Sequence, residues 1–405
     1  MTRRSFGLSL LGAWAAPRAM ADETALRPLF DGRSIEGWIQ RGGTAEYRVE
    51  EGALVGRTAS GSPNSFLCPP DNYGDFVLEF ETKTDPKLNS GVQIRSHAYE
   101  SETETIVYNN GPRKRTFPKG RVHGYQVEIA NEEGGASGGI YDEARRGWAA
   151  DIRGDERASK AFRDNEWNRY RVEARGDRIR TWVNDVPCAD LVDPLDLDGF
   201  LGFQVHGYSG AEPAEVHWRN IRIQDLGRHV WRPLEGWAAR GGGTWSVKDG
   251  VFSGVAKGGD QPSVMVSNDI YDDFTVRFDY KIVRGNSGFF FRATEDVDRF
   301  EGVLGYEVEI DAGRDPGKLQ EAGGRWALAE VDQAKAEAHY RRGEWNRVAV
   351  SAHGGRIVTH LNGLRTADLA DDPGRRKGRL AFQMWSRDNP VEVLFRRLEI
   401  LEKGS

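Results

Sequence analysis

Glu166-Trp167-Asn168-Arg169-Tyr170-Arg171-Val172-Glu173-Ala174-Arg175-Gly176-Asp177-Arg178-Ile179-Arg180-Thr181-Trp182-Val183-Asn184-Asp185 decides the fold. From Val172 to Arg175 apolar and charged residues alternate, which is the period of a half-buried strand. Gly176-Asp177 is a turn pair, and Arg178 to Val183 is a second strand that ends at the turn pair Asn184-Asp185. The opening tetrapeptide recurs letter for letter as Glu344-Trp345-Asn346-Arg347. Its second strand recurs as Arg356 to Leu361 and ends at Asn362-Gly363, a strong hairpin dipeptide.

The duplication extends over most of the chain. Gly37-Trp38 recurs as Gly236-Trp237, Tyr73-Gly74-Asp75-Phe76 as Tyr271-Asp272-Asp273-Phe274, and Asn89-Ser90-Gly91 with Arg95 as Asn286-Ser287-Gly288 with Arg292. The offset is 199 at the front and 178 at the back, so the first copy carries about twenty extra residues. Much of the excess falls between His97 and Arg121, a polar stretch centred on Asn109-Asn110-Gly111-Pro112 that reads as a long surface loop. Phe76, Leu78 and Phe80 alternate with their neighbours, and apolar alternation over Val216 to Ile223 and Leu394 to Ile400 closes the copies. Many short strands in a duplicated chain predict an all-β protein of two tandem β-sandwich (jelly-roll) domains. The copies meet near Gly227 without a Pro/Ser-rich linker, so they are expected to sit against each other.

Composition agrees. The 405 residues include 49 glycines, well above the ~7% of average chains, which favours turns over long helices. Lys and Arg number 56 against 62 Asp and Glu, for a net charge of −6, so the basic footprint of a nucleic-acid binder is absent. No apolar run approaches the ~20 residues of a membrane span. Thr2-Arg3-Arg4-Ser5-Phe6, the apolar run Leu8 to Ala16 and Ala19-Met20-Ala21 read as a twin-arginine leader cleaved before Asp22. The expected organisation is a leader over 1–21, a first domain over 22–226 and a second, diverged domain over 227–405, in a periplasmic or secreted protein. Cys68 and Cys188 are the only cysteines; they could pair there, or each could serve as a small core hydrophobe.

Motif order carries a resemblance. Leu29-Phe30-Asp31-Gly32 before Gly37-Trp38, then Tyr-Gly-Asp-Phe, Asn89 to Val92, His123 to Ile129, Gly138 to Tyr141, Glu-Trp-Asn and Arg219 to Ile223 together resemble the 3-keto-disaccharide hydrolase domain family. The resemblance implies a concanavalin-like jelly roll and a substrate class, a glycoside oxidised to a ketone at carbon 3. The Trp-Asn strand with its Asn-Gly turn is shared with laminin-G-like and lectin-like sandwiches, and so argues fold rather than chemistry.

Strand alternation nominates a face. With Val92, Ile94, Tyr125, Val127, Phe203 and Val205 in the core, Gln93, Arg95, Gln126, Glu128, Gln204 and His206 turn outward and would line one polar groove. The alternative is a merely solvated sheet face. At the matching positions the second copy holds Phe290, Arg292, Glu307, Glu309, Gln383 and Trp385. Gln93, Gln126, Gln204, Arg292 and Trp385 are the expected substrate contacts; Trp385 and Phe290 could stack a sugar ring or pack against the first copy. A carbon 3 ketone acidifies the carbon 2 proton, so a base can form an enolate that expels the aglycone, and water addition then completes cleavage. By chemical type, Glu128 or His206 is the base, Arg95 the enolate stabiliser, and Tyr141 or His123 the acid. Glu128 pairing with Arg95, His123 capping a loop and Tyr141 in the core are the structural alternatives. No cofactor is predicted: no Gly-x-Gly-x-x-Gly site follows a strand and no motif demands a metal, although His206, Glu128 and the glutamines could ligate a divalent ion. The ketone would then come from a separate oxidoreductase. The competing reading is a lectin-like tandem that binds sugar without turnover.

If residues 1–21 are a twin-arginine signal, Arg3→Lys with Arg4→Lys should leave the full-length precursor in the cytoplasm on fractionation. Mature protein in the periplasm of cells making that variant would rule the signal out.

Overall fold

The computed structural model describes residues 25–107, 113–130, 135–261, 263–296, 302–311, 315–386 and 389–404. The leader and the Asn109 to Pro112 centre of the expected loop lie outside the described residues. Within them each copy is a sandwich of two antiparallel sheets. In the first copy the front sheet runs β6-β5-β4-β3-β7-β2-β1, where β1 is Ile39–Gly42, β2 Ser65–Cys68, β3 Ser90–Ala98, β4 Val122–Ile129, β5 Ile140–Glu143, β6 Gly147–Ala150 and β7 Gly199–Val205. Its back sheet is centred on Asp75–Thr84, flanked by Asn168–Arg175 and Glu215–Gly227. The second copy repeats the plan, with Asn286–Asp296 central in front and Phe274–Arg284 central behind.

The alternation read from the sequence becomes the core. Phe76, Leu78, Phe80, Tyr170, Val172 and Ala174 from the back sheet meet Val92, Ile94, Tyr125, Val127 and Phe203 from the front, all buried. The Phe80 and Tyr170 rings stack at 5.0 Å, and burial of each such side chain contributes about 1.5 to 3 kcal/mol. The hairpin strand occupies Arg178–Val183, and Asn184 (φ 48) with Asp185 (φ 65) turns the chain. Asn362 (φ 48) and Gly363 (φ 86) do the same in the second copy, with the two positive φ values that a tight primed turn needs. The repeated Trp-Asn pair is structural. Asn168 Nδ2 donates to the Arg163 and Glu166 carbonyls and its Oδ1 accepts from Arg163 N, and Asn346 repeats all three bonds with Arg341 and Glu344. Trp167 lies under Arg219, and Trp345 under Arg396, each at 3.9 Å.

Two expectations need correction. The stretch from His97 to Arg121 is not simply a loop: Thr103–Val107 pairs with Arg113–Phe117 as a two-stranded antiparallel hairpin. Arg95 does not turn outward. A register shift in the pairing of β3 with both β4 and β7 marks a bulge, and Arg95 sits in it at φ 44. Its side chain, fully buried, donates from Nε to Gly74 O (2.8 Å), from Nη1 to Gly176 O (2.7 Å) and from Nη2 to Asp75 Oδ1 (3.1 Å). Arg292 repeats this at φ 47, donating to the carbonyls of Asp272, Gly354 and Arg375. Both arginines therefore tie a front sheet to back-sheet turns.

The copies touch. Asp177 Oδ2 accepts from Thr275 Oγ1 (2.7 Å) and Ser351 Oγ (2.5 Å), and His229 Nδ1 lies 2.7 Å from Asp75 Oδ2. The two cysteines are free; Cys68 is buried in the front sheet and Cys188 is half-buried in the back.

Arg95→Ala leaves the buried Asp75 carboxylate without its guanidinium and two carbonyls without donors. Urea denaturation should show a loss of about 3 kcal/mol or more. A loss below about 1 kcal/mol would mean that the staple is not what ties the sheets.

Candidate functional site

The front face of β4, β3 and β7 carries a row of amides that ends in a carboxylate. Gln126 stands opposite Gln93 on one side and Tyr141 on the other. Its Oε1 accepts from Gln93 Nε2 (2.9 Å) and Gln204 Nε2 (2.7 Å), so its Nε2 is left to donate to Glu128 Oε2 (3.1 Å). Asn89 Nδ2 donates to Glu128 Oε1 (2.5 Å), and Ser96 Oγ to Gln93 Oε1 (2.6 Å). All four floor side chains are buried, from 0% exposure at Gln93 and Gln204 to 4% at Glu128. Gly91 makes the room: a Cβ there would lie 2.5 Å from Gln126 Cγ. Gln204 Oε1 is buried without a hydrogen-bond partner among the described residues.

Walls rise around this floor. The rings of the half-buried Tyr141 and of Trp148 meet edge to face, with centroids 5.3 Å apart. Glu143, two residues along β5 and on the same face, takes an ion pair from Arg121 and lies 3.4 Å from Asn64 Nδ2. Burial pushes the Glu143 carboxyl above the usual range, against the pull of the Arg121 charge and of a charged His206. His206 Nδ1 lies 2.7 Å from Gly207 O and must donate to that carbonyl, which leaves Nε2 as the basic nitrogen of the neutral ring. Gly207 N donates to Asn64 Oδ1. Asn64 precedes β2, four places from β5 in the sheet order, yet it reaches Glu143. The flanks of the sheet therefore curl toward each other across the amide floor. At the other end the floor is apolar, with Phe66, Cys68, Val122 and Phe200 in one cluster, and burial lifts the Cys68 thiol to about 12.

Of the residues nominated by alternation or by chemical type, Gln93, Gln126, Glu128, Gln204, Tyr141 and His206 share this front face, whereas Arg95 and His123 do not join them. Arg95 is committed to the Gly74 and Gly176 carbonyls and to Asp75, so it does not pair with Glu128. His123 has the parity of the core residues Tyr125 and Val127 and stands at the sandwich end, with Tyr99 at 4.2 Å and His97 at 5.9 Å between ring centroids. Five residues of strand, about 17 Å, separate it from Glu128, too far for both to act on one sugar ring. Burial, helped by the Arg145 charge, lowers the His123 imidazole from its ordinary 6.5 to about 4. Glu143, Arg121 and Asn64 escaped the sequence reading, although Glu143 shares the parity of Tyr141. Among the described residues no group of three His, Cys, Asp or Glu side chains converges as metal ligands would.

The second copy's front face is different. Arg292 is withdrawn from it by the same bulge, which removes it as a substrate contact. Phe290 packs with Val264, Val266 and Ala381 in a buried cluster of its own sheet rather than against the first copy. Gln320 Nε2 donates to Glu307 Oε2 (2.7 Å) and Glu309 Oε2 (3.0 Å), and burial raises Glu309 to about 7. Trp385 is half-buried, opposite Asn286.

Residues 25–224 and again 232–401 match the family described as the 3-keto-alpha-glucoside-1,2-lyase-like domain. No curated protein matches the chain. Among solved structures, a carbohydrate binding module CBM66 from Bacillus subtilis aligns at 22% identity and TM-score 0.33, covering 41% of this chain and 94% of its own. A putative glycosyl hydrolase from Parabacteroides distasonis aligns at 18% and 0.34, covering 52% and 98%. A Bacillus licheniformis beta-glucanase aligns at 13% and 0.33, covering 44% and 100%.

A depressed imidazole value means that the unfolded chain takes up the proton first. The stability His123 contributes is therefore complete above pH 6.5 and is lost as pH falls toward 4. His123→Phe keeps the aromatic stack without the titration, so its melting temperature should fall less than the wild type's between pH 6.5 and 4. Parallel curves would show that His123 does not titrate in that window.

Proposed function

Since the chain belongs to the 3-keto-alpha-glucoside-1,2-lyase-like domain family and carries that domain twice, we propose that its first copy cleaves 3-keto-glycosides. The observation that supports this reading is the buried Gln93-Gln126-Gln204-Glu128 floor walled by His206, Tyr141 and Glu143. A sugar lying on this floor meets amide dipoles that are already oriented, which lowers the reorganisation cost of charge developing on the ring. The carbon 3 ketone acidifies the carbon 2 proton, and His206 Nε2 takes it. As that C–H bond breaks, a carbon 1–carbon 2 double bond forms and the carbon 1–oxygen bond to the aglycone breaks. The leaving oxygen needs a proton, which Glu143, raised by burial, or the Tyr141 hydroxyl supplies. Water added to the enone turns the elimination into net hydrolysis. Glu128 accepts amide donors on both oxygens, so its role is to fix the amide row rather than to take the proton. No metal is needed in this scheme.

In the same reading the second copy binds or supports, a separate oxidoreductase supplies the ketone, and the twin-arginine leader carries the protein out of the cytoplasm. The described residues contain no helix long and apolar enough to cross a membrane.

A chromogenic 3-keto-glucoside and its parent glucoside, incubated side by side with the mature protein, test the proposal. Only the ketone should release its chromophore. His206→Asn should lower kcat by the roughly 10² to 10⁴ of a lost general base with its melting temperature unchanged, while Glu128→Gln should raise KM more than it lowers kcat. Equal turnover of both substrates would remove the ketone from the mechanism. Sugar binding without turnover of either would favour a lectin-like tandem.

A further inference from the structure

A cleft of about 420 Å³ lies between the copies, on the back sheets and away from the amide floor. Its volume is within the roughly 300 to 1,000 Å³ of small-molecule sites, and domain interfaces are where such sites favour forming. One wall is the hairpin of Asn168–Arg175 and Arg178–Val183: Arg175 pairs with Arg178 and Glu173 with Arg180 in register, all four lining the cleft. The other wall comes from the second copy, with Thr275, Ser351 and Arg356 beside the apolar Val358 and Leu401.

The cleft's hydrogen-bonding balance is uneven. Its carboxylates are already engaged. Glu173 accepts from Arg171 and Arg180 (2.6 and 2.5 Å), Asp177 from Thr275 and Ser351, and Asp273 from Gly354 N (2.7 Å). Its donors are not. Among the described residues Arg175 forms no ion pair. Arg356 reaches Asp190 through Nη1 (3.2 Å), but its Nε is buried without a hydrogen bond, 3.5 Å from Asp368 Oδ1 in ion-pair contact only. Each terminal nitrogen of Arg356 carries a second N–H beside the one it gives to Asp190, and a ligand that brings an acceptor would take it up. Asp190 is also shared, its two oxygens taking Arg178 at 2.7 and 2.6 Å before Arg356 arrives.

We propose that this interdomain cleft binds a small organic oxyanion, its charged group on Arg175 and Arg356 and its carbon skeleton against Val358 and Leu401. Recognition is charge-assisted and needs both copies, so the ligand clamps them together. The site is independent of the 3-keto-glycoside reading, because no cleft residue belongs to the amide floor.

Titration calorimetry of the mature full-length protein with glucuronate, glucose 6-phosphate and glucose tests this. Both anions should bind, the tighter one identifying the carboxylate or the phosphate as the natural group, and glucose should not. Arg175→Gln alters an exposed side chain and so keeps the fold; it should weaken anion binding at least about tenfold, as expected for a lost charge-assisted bond. His206→Asn should bind the anions as the wild type does. Glucose binding as tightly as the anions, no binding of either anion, wild-type affinity in Arg175→Gln, or loss of anion binding in His206→Asn would each overturn the proposal.

Discussion

The structure hangs on the buried guanidinium of Arg95. Three of its bonds cross from the front sheet to the back: to the Gly74 carbonyl, to the Gly176 carbonyl in the hairpin turn and to Asp75. Asp75 in turn accepts from Gly176 N (3.0 Å) and faces His229 at the entrance to the second copy. One buried charge therefore fixes the sandwich spacing, the hairpin turn and the first contact between copies. Desolvation acts against it and pulls its pKa below the ordinary guanidinium value, and the Asp75 charge opposes that pull. An unpaired arginine at full burial would be untenable, so Asp75 and the two carbonyls are conditions of the fold. The same arrangement around Arg292 shows that the duplicated unit includes its staple.

The bulge that admits Arg95 also shapes the groove. With Arg95 turned inside, Ser96 comes to Gln93, and its hydroxyl satisfies the Gln93 oxygen that faces away from Gln126. The amide row then runs without a break to Glu128. Buried amides hold their geometry only when nearly every donor and acceptor is matched, and here the order of donation follows from the two bonds to Gln126 Oε1. The second copy lacks that logic. Glu307 in place of Gln126 sets a second carboxylate beside Glu309, and Phe290 in place of Gln93 joins an apolar cluster. A floor that carries two carboxylates on one glutamine amide cannot present the dipoles of the first copy.

Strict alternation accounts for most of what is legible in the sequence. The strands, the Asn184-Asp185 and Asn362-Gly363 turns and the floor residues Gln93, Gln126, Glu128 and Gln204 all obey the two-residue period that burial imposes. Alternation misplaces Arg95 because one extra residue in a strand reverses the parity of every later position, and nothing local announces it. His123 is misjudged for another reason: a core-parity residue at a sandwich end sits among rim aromatics, where a histidine suggests chemistry but has burial around it. The hairpin from Thr103 to Phe117 is hidden because its second strand is mostly exposed and carries little apolar alternation to read. Asn64 and Arg121 meet Glu143 only through the curl of the sheet, a long-range fact that no spacing encodes.

The way the copies join bears on where chemistry can occur. Asp177, Thr275, Ser351 and Arg356 are back-sheet or back-turn residues, and Arg146, at the front-sheet edge, reaches the second copy through the Gly363 carbonyl. His360 is buried there, its imidazole lowered by burial against the pull of Asp193. Contacts made behind the cores and at one sheet edge leave each front face to be built from its own copy's side chains. The two grooves were therefore free to diverge separately after duplication, since a change from His206 to Trp385 or from Gln126 to Glu307 disturbs no shared wall. The shared wall is the cleft, where a substitution in either copy is felt by both.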